Sequence, residues 1–145
     1  MEKYQFSKSL GHLFHNINLT MRKRLEKEIA GFNLATSHQF GVLLLLSKKN
    51  MSQKEISNAT LADEPSTTRM LDRMIKKGLI GKERSKEDKR KHIVYITEKG
   101  QSLLQDIMPI VIKNNNYVAS LLEEEELEIL FKLLNKINNN SSFSQ

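Results

Sequence analysis

Apolar residues near the start of the chain fall at three- and four-residue steps: Phe6, Leu10, Leu13, Phe14, Ile17, Met21, Leu25 and Ile29. That spacing places them on one face and predicts a long amphipathic helix over residues 6–29, closed by Gly31 and Asn33. Thr36 and Ser37 are candidate caps for a second element reaching about Leu46, whose run Val42-Leu43-Leu44-Leu45-Leu46 reads by periodicity as either a strand or a buried helix. Ser52 followed by Glu55 is a capping-box spacing and predicts a short helix through Thr60. The stretch Ala62-Asp63-Glu64-Pro65 breaks it, with Asp63 as the next N-cap and Pro65 tolerated because first-turn N–H groups have no intrahelical partner. The helix that follows, Glu64 to Lys77, gathers Met70, Leu71, Met74 and Ile75 on one face, leaves Ser66, Thr67, Arg69, Arg73, Lys76 and Lys77 elsewhere, and stops at Gly78.

After Gly78 the period changes. Residues 79–84 and 92–97 are short alternating or β-branched segments, and Ser85-Lys86-Glu87-Asp88-Lys89-Arg90-Lys91 between them is a charged, turn-like tip, so a hairpin is expected. Thr97 opens another helix carrying Leu103, Leu104, Ile107, Met108 and Val111, which Pro109 is expected to bend. The last helix, about 123–138, shows Leu127, Leu130, Phe131, Leu134 and Ile137 in a stripe, with four glutamates at its positive end. Residues 140–145 form a polar tail expected to fray. A helix fits the width of a major groove, and a basic arm beside it can reach the adjacent minor groove.

Charge strengthens that picture by its distribution. The chain has 145 residues and a net charge of +6; from Arg69 to Lys99 there are eleven Lys/Arg against five Asp/Glu, whereas from Leu121 onward there are five Glu against two Lys. A basic block beside an acidic one suits a nucleic-acid face and a separate non-binding face. A solvated charged surface accounts for the charge alone, but not for charge placed on a helix, a turn, a helix and a hairpin. No cysteine is present, which excludes disulfides and thiol redox sensing within the chain. The first residues lack a signal-peptide layout and the longest apolar run is too short to cross a bilayer, so a cytoplasmic protein with no membrane partner is expected.

The segment Thr68-Arg69-Met70-Leu71-Asp72-Arg73-Met74-Ile75-Lys76-Lys77-Gly78-Leu79-Ile80, then Asp88-Lys89-Arg90, then Ile96-Thr97-Glu98-Lys99-Gly100, resembles the MarR (multiple antibiotic resistance regulator) family. Arg90 of the Asp-x-Arg pair stands seven residues before Thr97, a fairly specific family feature, and the resemblance covers nearly the whole chain. It implies a mainly α fold with a small β-hairpin: a winged helix-turn-helix flanked by N- and C-terminal dimerisation helices. The whole chain is then a single domain, with a DNA-binding lobe at about 36–100 and dimerisation helices at about 5–30 and 101–139. It also favours a buried helix for 42–46. A homodimer is expected, because two reading helices one helical turn apart match a palindrome.

Each candidate residue has a role and an ordinary alternative. Ser66, Thr67, Thr68 and Arg69 lie in the first turns of the reading helix and are expected to reach bases or phosphates; capping and plain surface charge are the alternatives. Arg73, one turn further, binds phosphate or pairs with Asp88 to brace the wing. By resemblance Arg90 enters the minor groove, where A·T-rich segments concentrate negative potential, and Asp88 orients it. Lys86, Lys89 and Lys91 supply salt-dependent attraction. Glu64, near the DNA-facing end, departs from the family pattern; it contacts cytosine and tunes specificity or simply favours the helix dipole, and the dipole is the preferred reading.

His12 and His15 are three residues apart, but no Cys or second His pair joins them, so no metal and no cofactor are expected. Family members often bind phenolic or other aromatic anions between the dimer helices and the DNA-binding lobe. By that resemblance His12, His15 and Asn16 are candidates for an effector pocket. The sequence holds no nucleophile–base pair, Gly-rich phosphate loop or opposed carboxylates, so an enzyme is not expected. The expected function is sequence-specific regulation of transcription, as a dimeric repressor on a palindromic promoter site, released by a small aromatic ligand. A winged-helix module that binds protein instead of DNA is the alternative, against which the basic wing argues.

Overall fold

The structure, a computed structural model, describes residues 5–32, 34 and 36–142. Asn33, expected to close the first helix, the side chain of Phe6 and the last three residues of the 140–145 tail lie outside the described residues.

The expected helix over 6–29 is split. A 3-10 turn spans Phe6–Lys8, and α1 (Leu10–Ile29) starts afresh because the Ser9 hydroxyl accepts the His12 N–H at 3.3 Å, satisfying a first-turn donor. Helix α2 (Ser37–Lys48) shows that 42–46 is helical and not a strand; Val42, Leu43 and Leu46 are buried in it. Thr36 is its N-cap by position but makes no side-chain cap bond. The Glu26 carboxylate of α1 takes that role, accepting from the Ser37 N–H at 3.2 Å and hydroxyl at 3.1 Å, with Arg22 3.6 Å away. The Ser37 N–H holds the Glu26 carboxyl below its ordinary pKa, with the Ser37 hydroxyl and Arg22 adding to the effect.

Helix α3 (Gln53–Thr60) carries the expected capping box: Ser52 Oγ accepts from Glu55 N–H at 3.2 Å, and Glu55 Oε2 accepts from Ser52 N–H at 2.7 Å. Leu61 leaves it in a left-handed conformation, φ 52°. Helix α4 (Glu64–Lys76) follows and ends in a Schellman arrangement: Gly78, at φ 71°, donates to Ile75 O and Leu79 N–H to Met74 O. Strands β1 (Ile80–Arg84) and β2 (His92–Ile96) pair antiparallel from Ile80↔Ile96 to Arg84↔His92, and Met51 adds a bridge to Val94 as a minimal third strand. Tyr95 lies over Gly81 in this hairpin; a Cβ there would sit 2.3 Å from the far end of the tyrosine ring, which would have to shift. Helix α5 (Glu98–Ala119) runs without interruption through Pro109, and α6 (Glu124–Asn138) is the last.

The chain forms two compact units, Met1–Ile110 and Val111–Gln145. In the first, α2 packs on α3 and β2, α3 on α4, and α4 on β1. Ile56, Leu71, Met74, Leu79, Ile80, Val94 and Ile107 close the core with the α2 residues. In the second, α6 buries no residue: Ile129, Phe131 and Leu133 are each more than half exposed.

Candidate nucleic-acid interface

Asp63 fixes the start of α4. Its carboxylate accepts from the Ser66 N–H and from the Ser66 hydroxyl, both at 2.8 Å, and the Ser66 N–H holds its pKa below the ordinary value, aided by that hydroxyl. Ser66 Oγ in turn accepts from Arg69 Nη2 at 3.3 Å, so a chain of bonds runs from the cap to an exposed guanidinium. Arg73 is exposed one turn on. Thr68, also exposed, donates to Glu64 O at 2.9 Å and accepts from Gln53 Nε2 of α3 at 2.6 Å, tying the two helices together.

Thr67 does not belong with them. It is fully buried; its hydroxyl donates to Asp63 O at 2.9 Å and lies 3.4 Å from Ser57 Oγ. A side chain sealed between α3 and α4 cannot reach a base, so the expected contact is replaced by a structural role. The signal was present: Thr67, Leu71 and Met74 are spaced i, i+4, i+7, the buried face of the helix.

The wing tip is held by two small devices. Ser85 Oγ accepts from the N–H groups of Glu87 and Asp88, and Asp88 Oδ1 accepts from Arg90 N–H at 3.0 Å and Arg90 Nε at 3.3 Å. Asp88 therefore pairs with Arg90 and not, among the described residues, with Arg73. The Arg90 side chain remains 93% exposed, and Lys86, Lys89 and Lys91 of the same tip are exposed as well.

Described residues of the first unit line a cleft and a groove. The cleft, of about 320 Å³, is lined by Thr36, by His38 and Gln39 of α2, by Thr60 and Ala62, and by Ser66, Arg69, Met70 and Arg73 of α4. Two guanidinium groups and an imidazole around apolar wall suit a small organic anion. Reading the sequence missed this cleft, because Thr36 to Gln39 and Ser66 to Arg73 converge only in three dimensions. The residues proposed from sequence for an effector, His12, His15 and Asn16, follow one another along α1 and none of them lines this cleft. His12 Nε2 meets Asn16 Nδ2 at 2.9 Å, whereas His15 lines a separate groove of about 260 Å³ with Phe14, Asn18, Leu19 and Arg22. Among the described residues no group of three or more His, Cys, Asp or Glu is placed to hold a metal, and no helix is long and apolar enough to cross a membrane.

The arrangement of α3, α4 and the wing has close parallels. The family described as transcriptional regulator SarA/Rot matches residues 24–107. The HTH-type transcriptional regulator MhqR of Bacillus subtilis is 32% identical over 133 residues, covering 91% of this chain and 88% of MhqR. A MarR variant from E. coli, solved in complex with operator DNA, superposes with a TM-score of 0.80 at 26% identity, covering 88% of this chain and 92% of that one. BpsR of Bordetella bronchiseptica, described for the regulation of its DNA binding by 6-hydroxynicotinic acid, shares the fold at a TM-score of 0.84 and 24% identity, covering 96% and 99% of the two chains. With a helix-turn-helix, a basic wing and these relatives in agreement, the chain belongs to the SarA/Rot transcriptional regulators and, with them, to the MarR-type winged helix-turn-helix proteins that bind DNA.

Proposed function

We propose that the chain acts in the cytoplasm as a non-catalytic, two-fold dimeric repressor on a palindromic promoter site. The observation that carries this reading is the alignment of Ser66, Thr68, Arg69 and Arg73 along the exposed side of α4, beside a wing whose Arg90 is oriented by Asp88. Helix α4 lies in the major groove with its N-terminal turns against base edges, and Arg90 reaches the adjacent minor groove. Lys86, Lys89 and Lys91 contribute attraction that ignores sequence and fades with salt. The uncovered apolar residues of α6, among them Phe131, offer one surface to the second copy, and those of α1, among them Ile17, offer another.

Release by a small aromatic anion completes the reading, supported by the cleft on the α2–α4 side and by the regulation described for BpsR. An anion held by Arg69 and Arg73 takes the same guanidinium groups that contact DNA, so ligand and operator exclude one another. The test is fluorescence anisotropy with the protein's own upstream DNA across a salt series, beside a shuffled duplex and Arg90→Ala. Binding at least tenfold tighter to the upstream DNA, reduced about tenfold by the variant, is expected. Equal, salt-sensitive binding to both duplexes would instead leave a generic polycation and reject the repressor reading.

A further inference from the structure

The Thr-Glu-Lys-Gly start of α5 does more than begin a helix. After the Schellman bonds take Met74 O and Ile75 O, the carbonyls of Lys77, Gly78 and Leu79 find partners on the segment Thr97–Lys99. Lys99 Nζ donates to Lys77 O at 2.8 Å, Thr97 Oγ1 donates to Gly78 O at 2.6 Å, and Thr97 N–H donates to Leu79 O at 3.1 Å. The same Thr97 oxygen accepts the Gly100 N–H at 3.1 Å, so one hydroxyl closes the end of α4 and the beginning of α5. The approach is possible only because residue 100 is glycine: a Cβ there would lie 2.1 Å from Leu79 O. The Lys99 ammonium also stands at the negative end of the α4 dipole, where a cation is favoured.

We infer that Thr97 and Lys99 are positioning residues for DNA reading: they clasp the C-terminal end of α4 to α5 and set the angle at which Arg69 and Arg73 are presented to the groove. The inference rests on α4 being the reading helix. Base-edge bonds need their donors placed within about half an ångström, whereas flexible lysines on a wing tolerate a tilted helix. Loosening the clasp therefore removes discrimination between sequences and spares general attraction to phosphate. Although Lys99 is exposed and basic, its amine is engaged with a backbone carbonyl 22 residues away in sequence, and that engagement separates it from the wing lysines.

The test uses the full-length protein and a duplex it has itself selected from a randomised library, beside a shuffled duplex of equal length. Lys99→Met keeps the bulk of the side chain and deletes the amine; Lys99→Arg keeps charge and donors. The expected result for Lys99→Met is a three- to tenfold loss on the selected duplex, about what one exposed hydrogen bond carries. Affinity for the shuffled duplex and the slope of affinity against salt stay unchanged, and Lys99→Arg restores the difference. Equal losses on both duplexes with a shallower salt slope would make Lys99 a phosphate ligand and overturn the inference. A lowered thermal midpoint with an unchanged ratio of affinities would make the clasp a plain helix cap and overturn it too. If the unaltered protein selects no sequence, or Arg69→Ala leaves the ratio intact, then the reading of α4 itself fails, and that outcome is distinct from failure of the clasp.

Discussion

Helices α4 and α6 carry apolar stripes at the same helical spacing, yet the two stripes meet different fates. In α4, Leu71 and Met74 are sealed against α3 and the hairpin, and both ends of the helix are capped by named partners. In α6, the stripe carries no buried residue, and Phe131 is 53% exposed. Periodicity alone cannot tell these helices apart. The difference lies in what each finds within its own chain: α4 has a finished core behind it, while α6 offers a face that water covers poorly and that a second copy would cover well. The first unit thus has its own core, whereas α6, the proposed dimer surface, buries no residue.

The hardest blow to this contrast is a charge in the α6 stripe. Phe131→Glu is expected to give a monomer in analytical ultracentrifugation and to cost a hundredfold or more in affinity for the selected duplex, as two-point attachment is lost. A dimer that survives this change would remove α6 from the interface. Next in size is Gly100→Ala, which drives a methyl group into Leu79 O and the Ile96 side chain. A loss of about 1–3 kcal/mol in thermal or urea unfolding is expected, with self-association untouched. Thr67→Val sharpens the account of the lobe: it removes the hydroxyl's bond to Asp63 O and should destabilise by about 1 kcal/mol while leaving the DNA affinity of the folded protein alone. A selective loss of DNA affinity there would return Thr67 to the contact surface.

The smallest effect is on acid stability. Asp63, Glu55 and Glu26 each sit below their ordinary pKa because a backbone N–H, from Ser66, Ser52 and Ser37 respectively, bonds the charged form. A carboxyl whose folded pKa is lowered stabilises the fold above its unfolded value and loses that contribution as pH falls through the folded value. The thermal midpoint should therefore decline below about pH 4.5, and less steeply in Asp63→Asn. Parallel curves for the two proteins would mean that the cap carries no such linkage.

Much of the lobe was legible because its signals are local. Ser52 with Glu55, Asp63 before Pro65, and Gly78 after Lys77 each act within a few residues, and each appears where spacing placed it. What escaped depends on distance along the chain. Glu26 caps α2 from eleven residues away, and Lys99 reaches Lys77 across 22, so neither pairing leaves a trace in sequence order. Ser9 was local but overlooked, its capping role hidden inside an apolar period that continues past it. Of the proposed contacts on α4, exposure separates Ser66, Thr68, Arg69 and Arg73 from Thr67, whose hydroxyl looked no different from theirs in composition.

Leu61, the left-handed residue between α3 and α4, is 94% exposed, and the chain has no cysteine. Leu61→Cys would therefore put a unique thiol between α3 and α4, the helices proposed to read DNA, without opening the core. Spin labels on that thiol in two paired copies would form a molecular ruler. Heads that address successive turns of one DNA face are separated by about 34 Å, and any ligand that moves them would be read as a change of distance, with no need to know the operator.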